Sequence, residues 1–247
     1  MLDINLGSDF LNYIVRQGYQ PGDRLPSIQE LTADTHLDMS ANKVREQLEV
    51  ARALGWVEVR SKRGTRVKHY NFTPAVRLSA LYALACGERF ESFASLRNHV
   101  EAAYWNEACA LLTASDLSGM QACIDSATQK LDSPPIHIPN PEHRRFHLGV
   151  FKRLDNAFVL GILEAYWDLY EEVGVNRYMD YDYLRRVWDY HARILQLIRV
   201  GEFDFARQAF IEHTRLLWHE RDPAPWRLES GAQAAAQNDL ATQPRKE

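Results

Sequence analysis

Two of the chain's nine histidines, His143 and His147, stand four residues apart on a stretch with helical periodicity, so their imidazoles share one helix face. His191 lies inside the penultimate helical run and His213 inside the last one. Three helices of a bundle can therefore direct four imidazoles into one cavity. Neutral imidazole suits zinc, nickel, cobalt or iron, and bundle interiors commonly hold such ions. The competing reading makes each histidine a surface or core residue with its own hydrogen bond. Arg97 and Glu101 are also four apart. They read as a surface ion pair worth little, or more sharply as an anion-binding arginine facing a cavity.

Hydrolytic templates fit this pattern poorly. His143 and His147 enclose Arg144, Arg145 and Phe146, so the glutamate base of an H-E-x-x-H protease is missing. No Glu-x-x-His occurs, which argues against a di-iron carboxylate bundle. G-x-S-x-G, P-loop and G-x-G-x-x-G motifs are absent as well. An ion at the histidines would then support structure or hold an effector. A metal-dependent enzyme with the N-terminal part as a tether is the alternative, and it needs a glutamate from another helix. A third option is a metal-free module whose histidines simply pack. Tyr104, Trp105, Tyr166, Trp167, Tyr170 and Trp188 read as core aromatics rather than as a ligand box.

The elements that must position these groups follow from composition and periodicity. Of 247 residues, 46% are apolar and 25% charged, which is enough to bury real cores. Three cysteines without a C-x-x-C pair speak against a disulfide scaffold and a cysteine-built zinc site. No apolar run is long enough to span a bilayer and the start lacks signal-peptide character, so a cytoplasmic protein is expected. Pro74 marks a boundary, after which the chain reads as helix nearly throughout. Helices are expected over residues 75–86, 91–113, from a Ser115 cap to 132, 142–153, 157–172, 183–199 and 203–219. On the long second helix, Phe93, Leu96, Val100, Ala103 and Ala110 form the expected apolar face. The fold class is mainly α: an N-terminal winged helix-turn-helix (1–70), an all-α bundle (74–220), and a disordered tail (221–247).

The N-terminal part has a different character. Residues 1–70 hold ten Lys/Arg against nine Asp/Glu, although the whole chain carries −4. Helices are expected over 8–16, from Ser27 to about Thr35 behind the capping box Ser27-Ile28-Gln29-Glu30, and over 41–54 behind Ser40. Two alternating strands, 56–60 and 65–68, then flank the basic tip Ser61-Lys62-Arg63-Gly64. Three helices followed by a basic hairpin is the order of a winged helix-turn-helix, whose third helix enters the major groove. Asn42, Lys43 and Arg45, at the start of that helix, are residue types that touch base edges and phosphates.

These motifs resemble a known family. Pro21 to Ser27, Val44-Arg45-Glu46-Gln47-Leu48, Gly55-Trp56-Val57 and Arg63-Gly64-Thr65-Arg66-Val67 are similar to the winged helix of GntR-type transcriptional regulators. Leu96-Arg97 with Glu101, His143-x-x-Phe146-His147 followed by Asn156, Tyr190-His191 and Glu212-His213 resemble the FCD bundle of the FadR subfamily. The resemblance implies a homodimer on double-stranded operator DNA, contacted by Arg24, Ser27, Ser40, Asn42, Lys43, Arg45, Lys62, Arg63, Gly64 and Thr65. It also implies that His147, His191 and His213 coordinate a divalent metal helping to hold a small carboxylate effector, with Arg97, Glu101 and Asn156 around the same cavity. Where the family usually has an aspartate, this chain has His143, so the site is all-imidazole or uses Glu142 through a shifted geometry. Losing that negative charge favours zinc or nickel. Ala41 replaces an arginine common in the family, and the turn before the recognition helix reads as two residues longer than usual.

Overall fold

The computed structural model describes residues 4–34, 37, 39–173 and 180–219. The tail expectation for 221–247, the expected helix end at Thr35 and the turn residues His36 and Asp38 lie outside them. Contacts divide the chain into two compact units: Met1–Ser79 with Asp155–Ala165, and Ala80–Leu154 with Tyr166–Glu247.

The first unit contains helices α1 (Asp9–Arg16), α2 (Ile28–Ala33) and α3 (Ala41–Ala53), then strands β1 (Val57–Arg60) and β2 (Gly64–Val67). Each helix starts where a hydroxyl can satisfy a free backbone N–H. Ser8 accepts from the Leu11 N–H, Ser27 forms the full capping box with Glu30, and Ser40 accepts from the Lys43 N–H. Phe10, Leu25, Leu31, Val44, Ala51 and Val57 make one core, each large apolar side chain contributing about 1.5–3 kcal/mol by burial. Gln47 ties α3 to the start of α1, its Oε1 accepting from Ser8 Oγ at 2.7 Å and Phe10 N at 2.8 Å.

The two strands pair antiparallel from Val57 opposite Val67 to Arg60 opposite Gly64. The turn between them needs left-handed backbone at Lys62 (φ 63°) and Gly64 (φ 77°). The segment before α2 also pairs with β2. Gly22 N donates to Val67 O, Val67 N to Asp23 O, and Leu25 N to Thr65 O, at 2.8–3.0 Å. Pro21 and Pro26 hide this short strand-like stretch, because prolines usually mark loops.

The second unit contains α5 (Phe90–Ala110), α6 (Ala114–Asp132), α7 (Asn140–Phe151), α9 (Tyr181–Arg199) and α10 (Phe203–His219). The unit boundary falls inside α4 (Thr73–Ala85) and α8 (Ala157–Glu172). Helix α4 begins at Thr73, so Pro74 sits in its first turn, where a missing N–H costs nothing, rather than at a break. Helix α6 is capped by Thr113 in a box with Asp116, not by Ser115. Among the described residues no helix is long and apolar enough to cross a membrane.

The expected apolar face of α5 is not the buried one. Its interior stripe is Phe90, Ala94, Arg97, Glu101, Trp105 and Ala108, while Leu96 is 48% exposed. The stripe contains a buried ion pair, which an apolar-periodicity reading passes over.

In the first unit, α8 approaches the chain before α4 so closely that only glycine fits at 161. A Cβ there would lie 2.6 Å from Phe72 Cβ and 2.9 Å from the Thr73 backbone nitrogen. Gly161→Ala is expected to lower stability by about 1–3 kcal/mol through overpacking, read as a reduced midpoint in thermal circular dichroism. An unchanged midpoint would contradict this close approach.

Candidate functional site

In the first unit, Asn42 and Arg45 are exposed on the first turns of α3, with Arg45 Nη1 donating to Asn42 Oδ1 at 2.9 Å. Lys43 Nζ is 2.8 Å from Asp9 Oδ2, and Ser40 Oγ is engaged as the cap. Lys62 and Arg63 form the exposed wing tip. The Arg24 guanidinium packs over Gly64, its Nε 3.1 Å from where a Cβ would stand. Ser27 is spent on the capping box, and Thr65 on β2 is partly buried, its backbone carbonyl accepting from Leu25. Part of the basic cluster is engaged internally: Arg60 pairs with Glu58 at 3.1 Å, and Arg66 Nη1 donates to Gly22 O at 2.6 Å.

In the second unit, the four histidines meet. His143 and His147 come from α7, His191 from α9 and His213 from α10, and one nitrogen of each lies within 4.8 Å of the others. Local sequence explains why. His191 interrupts the buried α9 stripe Leu184, Val187, Trp188, Ile194, Leu195, Ile198, so its ring must point inward. His147 follows Phe146 on the face of α7 that buries Val150 and Phe151. His147, His191 and His213 are at most 2% exposed. His143 is partly buried, with its Nε2 shielded from solvent.

The aromatics read as core form the wall of this site. Trp167 lies 4.8 Å from the His143 ring, and Trp188 4.7 Å from that of His191. Phe146 is 4.4 Å from His191. A cavity of about 10 Å³, lined by Pro139, Tyr183, Leu184 and Trp188 among others, touches His143; it has room for about one water.

Arg97 and Glu101 are not a surface pair. Their side chains are 4% and 0% exposed, with Arg97 Nε 2.9 Å from Glu101 Oε2. Arg97 Nη2 lies 3.0 Å from His147 Nδ1, and Nη1 donates to Asn98 Oδ1 at 2.9 Å. The guanidinium sits over the Tyr166 and Trp167 rings, 4.6 and 5.2 Å from their centres.

Asn156 belongs to the first unit, and its Oδ1 caps α8 by accepting from the Phe158 and Val159 N–H groups at 3.1 Å. Glu142 does not substitute for the family aspartate. Its carboxylate is held by Lys130 and Arg145, each at 2.8 Å, and by Ser126. Sequence reasoning missed Asn98, whose only signal was adjacency to Arg97.

The electrostatics favour ligation. Burial pushes all four imidazoles below the usual histidine range, His213 to about 3, and the Arg97 charge adds to the effect at each. Four neutral donors are therefore present at pH 7. Ring nitrogens His143 Nε2, His191 Nδ1 and His213 Nδ1 have no hydrogen-bond partner among the described residues, so the donor set fits a divalent ion. Burial raises Glu101 to about 7, opposed by Arg97.

A basic winged helix followed by a helical bundle with a histidine-lined interior is the architecture of a ligand-responsive DNA-binding regulator. The FCD domain matches residues 92–216, and the description "Bacterial regulatory proteins, gntR family" matches residues 9–67. The chain belongs to the GntR family and carries an FCD domain. Proteins of this family are transcription regulators rather than enzymes. The chain is thus a DNA-binding transcriptional regulator with an effector-binding domain.

Among solved structures, Streptococcus agalactiae GntR shares the fold at 16% identity and TM-score 0.56, over 86% of this chain and 96% of that one. E. coli McbR/YncC gives 17% identity and TM-score 0.48, over 90% and 100%. No curated protein sequence matches the chain.

The buried histidines predict an acid response in the metal-free protein. In the unfolded chain they bind protons below about pH 6.5, but in the fold they do so only at lower pH, so stability falls as pH drops from 6.5. Glu101, raised in the fold, binds its proton preferentially there and offsets one of the four. Unfolding at pH 5.5 should therefore take up about three protons, measured from urea midpoints between pH 7 and 5. A flat profile would mean the imidazoles are not buried neutral.

Proposed function

We propose that the protein is a cytoplasmic homodimer that binds a roughly palindromic operator and changes its operator affinity when the bundle takes up a small carboxylate. Two-fold DNA half-sites call for a two-fold protein. Arg45 and Asn42 read bases from α3, with Ser40 and Lys43 beside them. Lys62, Arg63, Gly64 and Thr65 place the wing on the backbone or in the minor groove, supported by Arg24 and Ser27. His143, His147, His191 and His213 hold zinc or nickel, the ions that an uncharged all-nitrogen donor set favours over magnesium or manganese. Once bound, the ion supplies positive charge for a carboxylate, and Arg97 supplies a second anchor.

The observation that carries this reading is the convergence of four buried imidazole nitrogens within 4.8 Å. The small cavity beside His143 gives the reading its coupling. A carboxylate needs more than about 10 Å³, so its uptake moves side chains that line the cavity, among them Tyr183 and Trp188 of α9. Linkage then requires acid and DNA to alter each other's binding by the same factor.

For the DNA half, Arg45→Ala is expected to cost about 1–3 kcal/mol on a duplex selected by the wild-type protein from a random pool, measured by fluorescence anisotropy. Unchanged affinity would remove Arg45 from base reading. For the metal half, His147→Ala should abolish zinc or nickel binding measured by elemental analysis after reconstitution, with circular dichroism confirming the fold. Full stoichiometry in the folded variant would place the metal elsewhere.

A further inference from the structure

Four polar groups in the second unit are arranged so that they cannot all be satisfied at once. Arg97 stays protonated in proteins and only donates. With its Nη2 3.0 Å from His147 Nδ1, that nitrogen must accept, which places the ring proton on Nε2. His147 Nε2–H then donates to His191 Nε2 at 3.2 Å, leaving the proton of His191 on Nδ1. That Nδ1 is buried without a partner, and neither Glu101 oxygen has a hydrogen bond among the described residues, Oε2 meeting Arg97 Nε only as an ion pair at 2.9 Å. One carboxylate oxygen, Oε1, stands 3.6 Å from His147 Nδ1, just beyond hydrogen-bond range.

The nitrogen that His147 turns toward the other imidazoles is Nε2, the one carrying the proton in this arrangement. Ligation through Nε2 needs its lone pair, so the proton must sit on Nδ1. An Nδ1–H cannot face a guanidinium N–H, but it can donate to Glu101 Oε1 with a small rotation. We infer that Arg97 competes with the metal for the His147 ring: ligation moves the ring proton from Nε2 to Nδ1, pairs His147 with Glu101, and releases Arg97 Nη2 to a carboxylate. The ring remains neutral throughout, and no proton leaves the site. Glu101 becomes the positioning residue that fixes the ligating tautomer, a role carboxylates often play beside metal-bound imidazole.

This inference rests on the metal-and-acid reading above and adds a mechanism for cooperativity. An acid that draws Arg97 Nη2 away from His147 Nδ1 leaves that nitrogen free to carry the ring proton, which favours the ligating tautomer. By reciprocity, the loaded site then favours the acid.

The direct experiment follows the His147 side-chain nitrogens by long-range 1H–15N NMR in the full-length, 15N-histidine-labelled protein, first with chelator and then with zinc. The expected result is Nε2–H without zinc and Nδ1–H with it. A second measurement uses Arg97→Met, which keeps an apolar stem against Tyr166 and Trp167. Its zinc affinity, titrated without any acid, should rise about tenfold or more, because a charge-assisted hydrogen bond opposing the ligating tautomer is gone. Losing a positive charge beside the ion also raises affinity, so the deciding readout is the tautomer. Metal-free Arg97→Met should show Nδ1–H on His147. Nε2–H retained there, or an affinity equal or lower, would overturn the competition. Nδ1–H already present without zinc in the wild-type protein would likewise overturn it while leaving the metal reading intact. No zinc binding at all would remove both.

Discussion

Four imidazoles, a guanidinium and a carboxylate share one interior from which water is nearly excluded. Burial keeps the imidazoles neutral at physiological pH and draws the carboxylate toward protonation, while the guanidinium keeps its charge. Neutral nitrogens with unused lone pairs are costly in a core unless something accepts their electrons. Three ring nitrogens lack a hydrogen-bond partner among the described residues, and the four histidines together could hold a metal ion. Trp167, Trp188 and Phe146 pack against these imidazoles.

The same constraint gives the bundle something to report. The cavity at His143 is close to one water in size, and Tyr183, Leu184 and Trp188 of α9 line it. His143, His147, His191 and His213 come from three helices, and Arg97 from a fourth. At the other end of the chain, several basic groups are already paired, as Lys43 is with Asp9 and Arg60 with Glu58. Exposed polar and basic side chains remain on the first turns of α3 and, as Lys62 and Arg63, at the wing tip.

Much of this arrangement is legible in the residues. Ser8, Ser27 and Ser40 announce their helices because capping is local chemistry, and the i, i+4 spacing of His143 and His147 announces a shared face. The pairing of Gly22–Leu25 with β2 was hidden because prolines at 21 and 26 dominate the local signal. The interior face of α5 was hidden for another reason: burying Arg97 and Glu101 makes sense only once their partners, His147 and the Tyr166 and Trp167 rings, are known to lie opposite.

The most direct test of the central claim is anomalous diffraction at the zinc absorption edge from crystals of the zinc-reconstituted protein. One strong peak per chain is expected, about 2.0–2.1 Å from ring nitrogens of His143, His147, His191 and His213. A peak at other residues, or four histidines hydrogen-bonded among themselves with no peak between them, would contradict the account.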